Sequence, residues 1–243
     1  YWEMYAAPLP GHEYVIGVDV AAGKGTDETS STVAAGDYSA IQIFDRHTKE
    51  QVAEFYSKKT EPGPLGIEVL RAAVLYNRAF VVVERNNHGG EVISKLVDNG
   101  YRNLYREGNT SRQPRAGPKL SEQVGFWTDQ QSRTPLFDAW AEAIREGNYK
   151  PHSKRLEGEC ETFVYDQWDR PDHMKGCKSD AITASALCWH GHRSLPAVRP
   201  LPTAPSAPQS EIQQAIAQWL ADARNPKRRW RSGRHGSMMG GAT

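Results

Sequence analysis

The sequence predicts a mixed α/β domain: three antiparallel strands extended by parallel strands, with helices on both faces. Two observations predict it. The opening third holds three short β-branched or alternating runs separated by turn-like segments, the pattern of an antiparallel meander. From Pro64 the apolar spacing changes to three and four, and helices then alternate with short apolar strands, the pattern of a parallel extension with right-handed crossovers.

The first strand is Tyr14-Val15-Ile16-Gly17-Val18-Asp19-Val20, a buried-type run that carries an acid where Val or Ile would be expected. Ala21 to Gly36 is rich in Gly, Ser, Thr and Ala and reads as a loop. Tyr38 to Asp45 and Gln51 to Tyr56 give the second and third strands, joined through the polar group 45–49. A helix from Pro64 to about Asn77 carries Leu65, Val69, Ala72, Ala73 and Tyr76 at helical intervals, and Phe80 to Glu84 follows as a buried strand. Gly89 to Asn99 is the next helix, closing at Asn99-Gly100, and Asn103 to Arg106 is a short strand. The segment 107–117 is polar and basic, a loop. Pro135 opens another amphipathic helix, 157–164 is a short helix, and Ser179 is the expected N-cap of a last helix through Ala181, Ile182, Ala184, Ser185, Leu187 and Cys188. Trp127, Trp140, Trp168 and Trp189 fall at apolar spacing and are expected in the core.

This division makes residues 1–13 an N-terminal segment, 14–194 the main domain, 195–210 a linker and 211–243 a tail. Pro196, Pro200, Pro202, Pro205 and Pro208 mark the linker as semi-extended. The tail carries one short apolar stripe, Ile212, Ala215, Ile216, Trp219 and Leu220, then Lys227-Arg228-Arg229-Trp230-Arg231 and a glycine-rich end expected to be disordered. The chain opens at Tyr1 without an initiator Met, which suggests a fragment and a domain before it.

With 30 Lys and Arg against 29 Asp and Glu, a net charge of +1 points to no nucleic-acid partner globally, so a nucleic-acid surface has to be a local patch. Three cysteines form no even disulfide framework. No apolar run approaches the roughly 20 residues of a membrane span.

Asp19, Glu84 and Asp180 each sit at the end or head of an apolar element. Any one alone reads as a solvated terminal charge. Three that converge would be costly unless neutralised, and can instead hold divalent cations through oxygen ligands, as a two-metal phosphodiester site requires. If the first and fourth strands are parallel neighbours, Asp19 and Glu84 lie side by side, and Asp180 reaches the same edge from a helix N-terminus.

Gly17-Val18-Asp19, Asp37-Tyr38-Ser39-Ala40, Val83-Glu84-Arg85-Asn86-Asn87-His88-Gly89 and Ser179-Asp180-Ala181 resemble the C-terminal nuclease domain of tailed-phage terminase large subunits. Gly125-Phe126-Trp127-Thr128 leading to Ser132-Arg133-Thr134-Pro135-Leu136, and Glu161-Thr162-Phe163-Val164, add to the likeness, which runs from about Tyr14 to His192. The resemblance implies an RNase H-like fold and a metal-dependent endonuclease that cuts concatemeric viral DNA during genome packaging in the host cytoplasm. It implies Asp19, Glu84 and Asp180 as ligands of two Mg2+ or Mn2+ ions and Asp37 as an auxiliary ligand. Its implied partners are double-stranded DNA, a terminase small subunit, a portal and a motor ATPase domain outside this chain. The family's His-Asp-Asp run at the third acid is replaced here by Lys178-Ser179-Asp180, so a fourth ligand from that run is absent.

Other readings compete. A junction resolvase or transposase would share the fold, and a non-catalytic docking module would need no acids. A sugar-kinase-like phosphotransferase also opens with a strand ending in Asp, but no second glycine-rich phosphate loop follows. Lys24, Arg85, Arg112, Arg115, Lys119 and Lys178 are candidates for backbone phosphate contacts. His88 is a candidate for positioning a water or contacting DNA. Cys177, Cys188, His173, His190 and His192 make a weaker zinc candidate, because their spacing matches no finger or ribbon.

Overall fold

Tyr14–Asp19 is apolar on both sides of its pleat, and in the computed structural model it lies between two other strands with helices packed above and below. The structure describes residues 1–22, 38–107, 124–168, 170–201 and residue 214. The loop expected over 21–36 (beyond Ala22), Asp37, most of the basic loop 107–117, and the tail apart from residue 214 lie outside the described residues.

The elements run β1 (Trp2–Met4), β2 (Tyr14–Asp19), β3 (Ser39–Asp45), β4 (Glu50–Ser57), α1 (Pro62–Leu75), β5 (Phe80–Val83), α2 (Gly89–Asp98), α3 (Gln130–Arg145), α4 (Lys154–Glu161), β6 (Phe163–Tyr165), β7 (Pro171–His173) and α5 (Asp180–Ser194). The main sheet has the order β1-β4-β3-β2-β5. Strands β2, β3 and β4 form the expected antiparallel meander, and β5 joins β2 in parallel with Val18 opposite Val83. Trp2–Met4 adds an edge strand against β4.

Alternation along β2 assigns the two cores. Tyr14, Ile16 and Val18 face α1 and α2, with Leu65, Val69, Val92, Ile93 and Leu96. Val15 faces α3 and α5, with Trp140, Ile182 and Leu187. Burying side chains of this size contributes about 1.5–3 kcal/mol each. Helix α5 is buried continuously from Ala181 to Cys188, because the sheet covers one side and α3 and α4 cover others.

Several elements differ from their expected bounds. Helix α1 opens at Pro62 rather than Pro64, with proline in the first turn where no backbone N–H is required. Asn103 to Arg106 makes only isolated bridges, Leu104 to Val81 in parallel and Arg106 to 124 and 125. Helix α3 opens at Gln130, five residues before Pro135, because Asp129 and Ser132 form a capping box there and outweigh the proline signal. The short helix α4 comes three residues early, and the residues after it form the β6–β7 hairpin instead. Trp140 is buried, but Trp127 and Trp168 are exposed, at 42 % and 66 %.

Candidate metal centre

The parallel pairing of β2 and β5 carries two acids to one edge of the sheet. Glu84 follows β5 directly, and its N–H donates to the Val18 carbonyl at 2.9 Å, so the residue after Val18, Asp19, stands beside it. Asp180 is the first residue of α5, which crosses β2 on the opposite side from α1 and α2. Two glycines permit these approaches. A Cβ on Gly17 would lie 1.9 Å from the Ala184 carbonyl oxygen, so only glycine lets α5 sit this close to β2. A Cβ on Gly89 would lie 1.7 Å from the Glu84 carbonyl oxygen, which holds the start of α2 against the second acid. Cys188 fastens the crossing: its Sγ accepts from the Gly17 N–H at 3.0 Å and lies 3.1 Å from the Gln42 carbonyl oxygen.

The electrostatics follow from this crowding. Burial, first, and then the Glu84 and Asp180 carboxylates hold the Asp19 carboxyl well above the usual carboxylate range, and a hydrogen bond to Glu84 adds to the shift. Two carboxyls can share a hydrogen bond only by sharing a proton. A divalent cation in the same place would remove the proton and the repulsion together, so the donor set fits a hard, oxygen-seeking ion.

Two residues absent from the sequence reading complete the surroundings of Asp180. The Tyr56 hydroxyl, at the end of β4, lies 3.1 Å from Asp180 Oδ2 and 3.1 Å from Glu159 Oε1. The other Glu159 oxygen accepts from the Ile182 N–H at 3.0 Å. Ser179 occupies the expected N-cap position, but its side chain makes no cap bond; its hydroxyl lies 3.3 Å from His173 Nδ1. Glu159 therefore satisfies an amide at the start of α5 that Ser179 leaves open. Burial pushes Glu159 up to about 7, with the Asp180 carboxylate adding and the Ile182 N–H opposing. Burial and the same two carboxylates raise Tyr56 far above the phenol range. A signal for Glu159 existed: it falls three residues after Leu156, on the buried face of a helix that is otherwise polar.

The remaining candidates disperse. Arg85 is half-buried, paired with Glu107 at 2.7 Å and stacked on Trp127 with its guanidinium 5.5 Å from the ring centroid. Lys178 is half-buried two residues before Asp180, and His88 is exposed at the N-cap of α2 without a side-chain cap bond. Lys24, Arg112, Arg115, Lys119 and Asp37 lie outside the described residues. The zinc candidates do not gather: Cys188 is buried against Gly17, His190 packs between Tyr105 and Phe126, and His192 accepts from Arg46.

Among the described residues, one group of side chains with ligand atoms mutually within 4.8 Å is His12, Asp45 and His47. It lies at the other end of β2, where Asp45 pairs with Tyr14. Its atoms are already engaged. His12 Nδ1 is 2.7 Å from Asp45 Oδ2, His47 Nδ1 accepts from the Glu13 N–H at 3.2 Å, and His47 Nε2 is 3.0 Å from the Arg199 carbonyl oxygen. Asp45 Oδ1 accepts from the His47 and Thr48 amides. This is a filled hydrogen-bond network around a turn, and a cation would have to displace most of it.

The sheet order, the parallel β2–β5 pair and helices on both faces define an RNase H-like α/β fold. Solved structures share it. The large terminase nuclease from thermophilic phage G20c with bound magnesium aligns over 78 % of this chain and 86 % of its own at TM-score 0.56 and 15 % identity. The cobalt-bound form of the same protein aligns at TM-score 0.57 and 14 % identity over 78 % and 86 %. The Thermus phage P74-26 large terminase nuclease domain aligns at TM-score 0.55 and 16 % identity over 77 % and 84 %. Identities this low show the fold and no more. No family model and no curated protein matches the sequence.

Proposed function

We propose that this chain is the nuclease domain of a terminase large subunit, a metal-dependent DNA endonuclease that cuts concatemeric viral DNA during genome packaging. One observation supports the reading: in a fold shared with metal-bound terminase nucleases, burial and the neighbouring Glu84 and Asp180 carboxylates together raise the Asp19 carboxyl at the end of the parallel strand pair. Asp19, Glu84 and Asp180 are the residues that would hold two Mg2+ or Mn2+ ions, with Asp180 completing the second site. Divalent ions held by these residues would supply the charge that activates a water and stabilises the leaving oxygen.

The chain's own groups orient that chemistry. Asp19 and Glu84 are held by sheet hydrogen bonds, so little freedom remains to be lost on binding. The phosphate contacts proposed for Arg85 and Lys178, and for Lys24, Arg112, Arg115 and Lys119, fix register on double-stranded DNA without reading sequence. A terminase small subunit, a portal and a motor ATPase are the proposed partners, and the host cytoplasm the proposed site of action. Among the described residues no helix is long and apolar enough to cross a membrane.

The test is linearisation of a supercoiled plasmid with Mg2+, with Mn2+ and with EDTA, comparing the parent chain with Asp180→Asn. Metal-dependent cleavage lost in the variant is expected. Equal cleavage by the variant would remove Asp180 from the site.

A further inference from the structure

We infer that Tyr56 and Glu159 are positioning residues that set the orientation of Asp180 for cation binding, an inference that rests on the metal-centre reading above. Asp180 is the first residue of α5, and its carboxylate lies against groups from two other elements. Its neighbours supply the constraint. The Tyr56 hydroxyl reaches Asp180 Oδ2 at 3.1 Å from the end of β4, on the far side of β3 from Asp19. A carboxylate whose one oxygen accepts from a fixed hydroxyl presents its other oxygen in a defined direction.

Tyr56 is itself held from several directions. Its ring stacks on Tyr38 with centroids 4.5 Å apart and planes 18° apart, and the Arg155 guanidinium lies 4.2 Å from the ring on α4. Arg155 Nε is 3.5 Å from Glu54, a buried acid on the same strand as Tyr56. Glu159, one turn further along α4, has one oxygen on the Tyr56 hydroxyl and the other on the Ile182 N–H. It therefore ties together the hydroxyl that holds Asp180 and the backbone that carries Asp180. The start of α4 is pinned in turn: Ser153 caps it through the Leu156 N–H, and the Gln51 side-chain oxygen accepts from the His152 and Ser153 amides. Tyr56 and Glu159 are both buried, each at 7 % exposure, and Asp180 is half-buried beside them.

A buried acid so placed is more than filler. Glu159 places one oxygen on the Tyr56 hydroxyl and the other on the Ile182 N–H, both in the surroundings of the third acid. Neither Tyr56 nor Glu159 needs to touch the ion or the DNA. Their effect passes through Asp180, as outer hydrogen bonds to metal ligands act on the ligand's direction.

The experiment measures Mn2+ binding to the whole chain by isothermal titration, with thermal melts in EDTA as the folding check, for Tyr56→Phe, Glu159→Ala, Glu159→Gln and Asp180→Asn. Tyr56→Phe keeps the ring stack and removes only the hydroxyl; it is expected to weaken binding by about tenfold. Glu159→Ala keeps the hydroxyl but removes the acceptor of the Ile182 N–H that ties the start of α5 to α4, and is expected to weaken binding in the same direction through that loss. Glu159→Gln keeps an oxygen for the Ile182 N–H and turns an amide donor toward Tyr56, which leaves the phenolic proton for Asp180, so binding close to the parent's is expected. A merely structural role would lower melting temperatures and leave the affinity of the folded protein alone. Should Asp180→Asn weaken binding while Tyr56→Phe and Glu159→Ala bind as the parent does, the positioning role is overturned and the metal centre stands. Should Asp180→Asn bind as the parent does, the metal-centre reading fails and takes this inference with it.

Discussion

Gly17 and Ala184 meet backbone to backbone. A single added carbon on Gly17 would overlap the Ala184 carbonyl oxygen at 1.9 Å and crowd the Cys188 amide at 2.7 Å. Neither neighbour is a flexible side-chain tip. Gly17→Ala therefore has to push α5 off β2, opening the core around Val15 and moving Asp180 away from Asp19. A loss of at least about 3 kcal/mol in a urea titration is expected. A variant that unfolds at the parent's urea midpoint would show that α5 sits further from β2 than described.

Asp19→Asn is expected to make the metal-free protein more stable at neutral pH. An unfolded Asp titrates at about 3.9, and the folded Asp19 titrates well above that. Between those values the folded chain keeps a proton that the unfolded chain has released, so stability falls as pH rises through the window and levels off above the folded value. Asparagine has no such window. Melts in EDTA should show the variant gaining on the parent from pH 4 upward and the two converging in their acid trend below it. Added Mg2+ should raise the parent's melting temperature and leave the variant's nearly unchanged. A parent as stable as the variant at pH 7 in EDTA would contradict the assignment.

His190 and His192 set the acid side. Burial, helped by Arg193 for His190 and by Arg46 and Lys49 for His192, lowers both to about 4. Both stay neutral in the folded chain while the unfolded chain takes up protons near pH 6.5, so their contribution is complete above 6.5 and is lost as pH falls toward 4. After allowance for their partial exposure, each is expected to cost on the order of 1–2 kcal/mol across that range. His190→Phe keeps a ring against Tyr105 and Phe126 and should flatten part of the slope in a pH series of denaturant titrations.

Asp45→Ala is expected to cost about 2–4 kcal/mol, because it strips the acceptor from His12 and from the His47 and Thr48 amides in a nearly buried turn. The proposed nuclease activity, per folded molecule, should survive, since this network lies at the opposite end of β2 from Asp19. Loss of activity in a fully folded variant would tie the two ends together.

The sheet was legible because its strands carry their own signals. Tyr14 to Asp19 and Phe80 to Val83 are short β-branched runs, and the helical spacing between them requires a crossover, which makes them parallel. From there the pairing of Asp19 with Glu84 followed by register. The hairpin of β6 and β7 was not legible, because Phe163-Val164-Tyr165 is three residues long and faces solvent, where no core periodicity marks it. The start of α3 is set by the Asp129–Ser132 capping box and not by Pro135, which sits inside the helix beside the buried Leu136 and Trp140. Glu159 and Tyr56 escaped for a different reason. Each is ordinary within its own element, and only the crossing of three elements gives them a common neighbour in Asp180.

The crossing of α5 over β2 also orders events during synthesis. Asp19 leaves the ribosome early and Asp180 late, and the central strand stays half-covered until α5 arrives to close it at Gly17. The three acids thus come together only after α5, the last described element in chain order, is in place. Assembly of the acidic centre waits on α5, so a chain still being built has no finished cluster of the three acids.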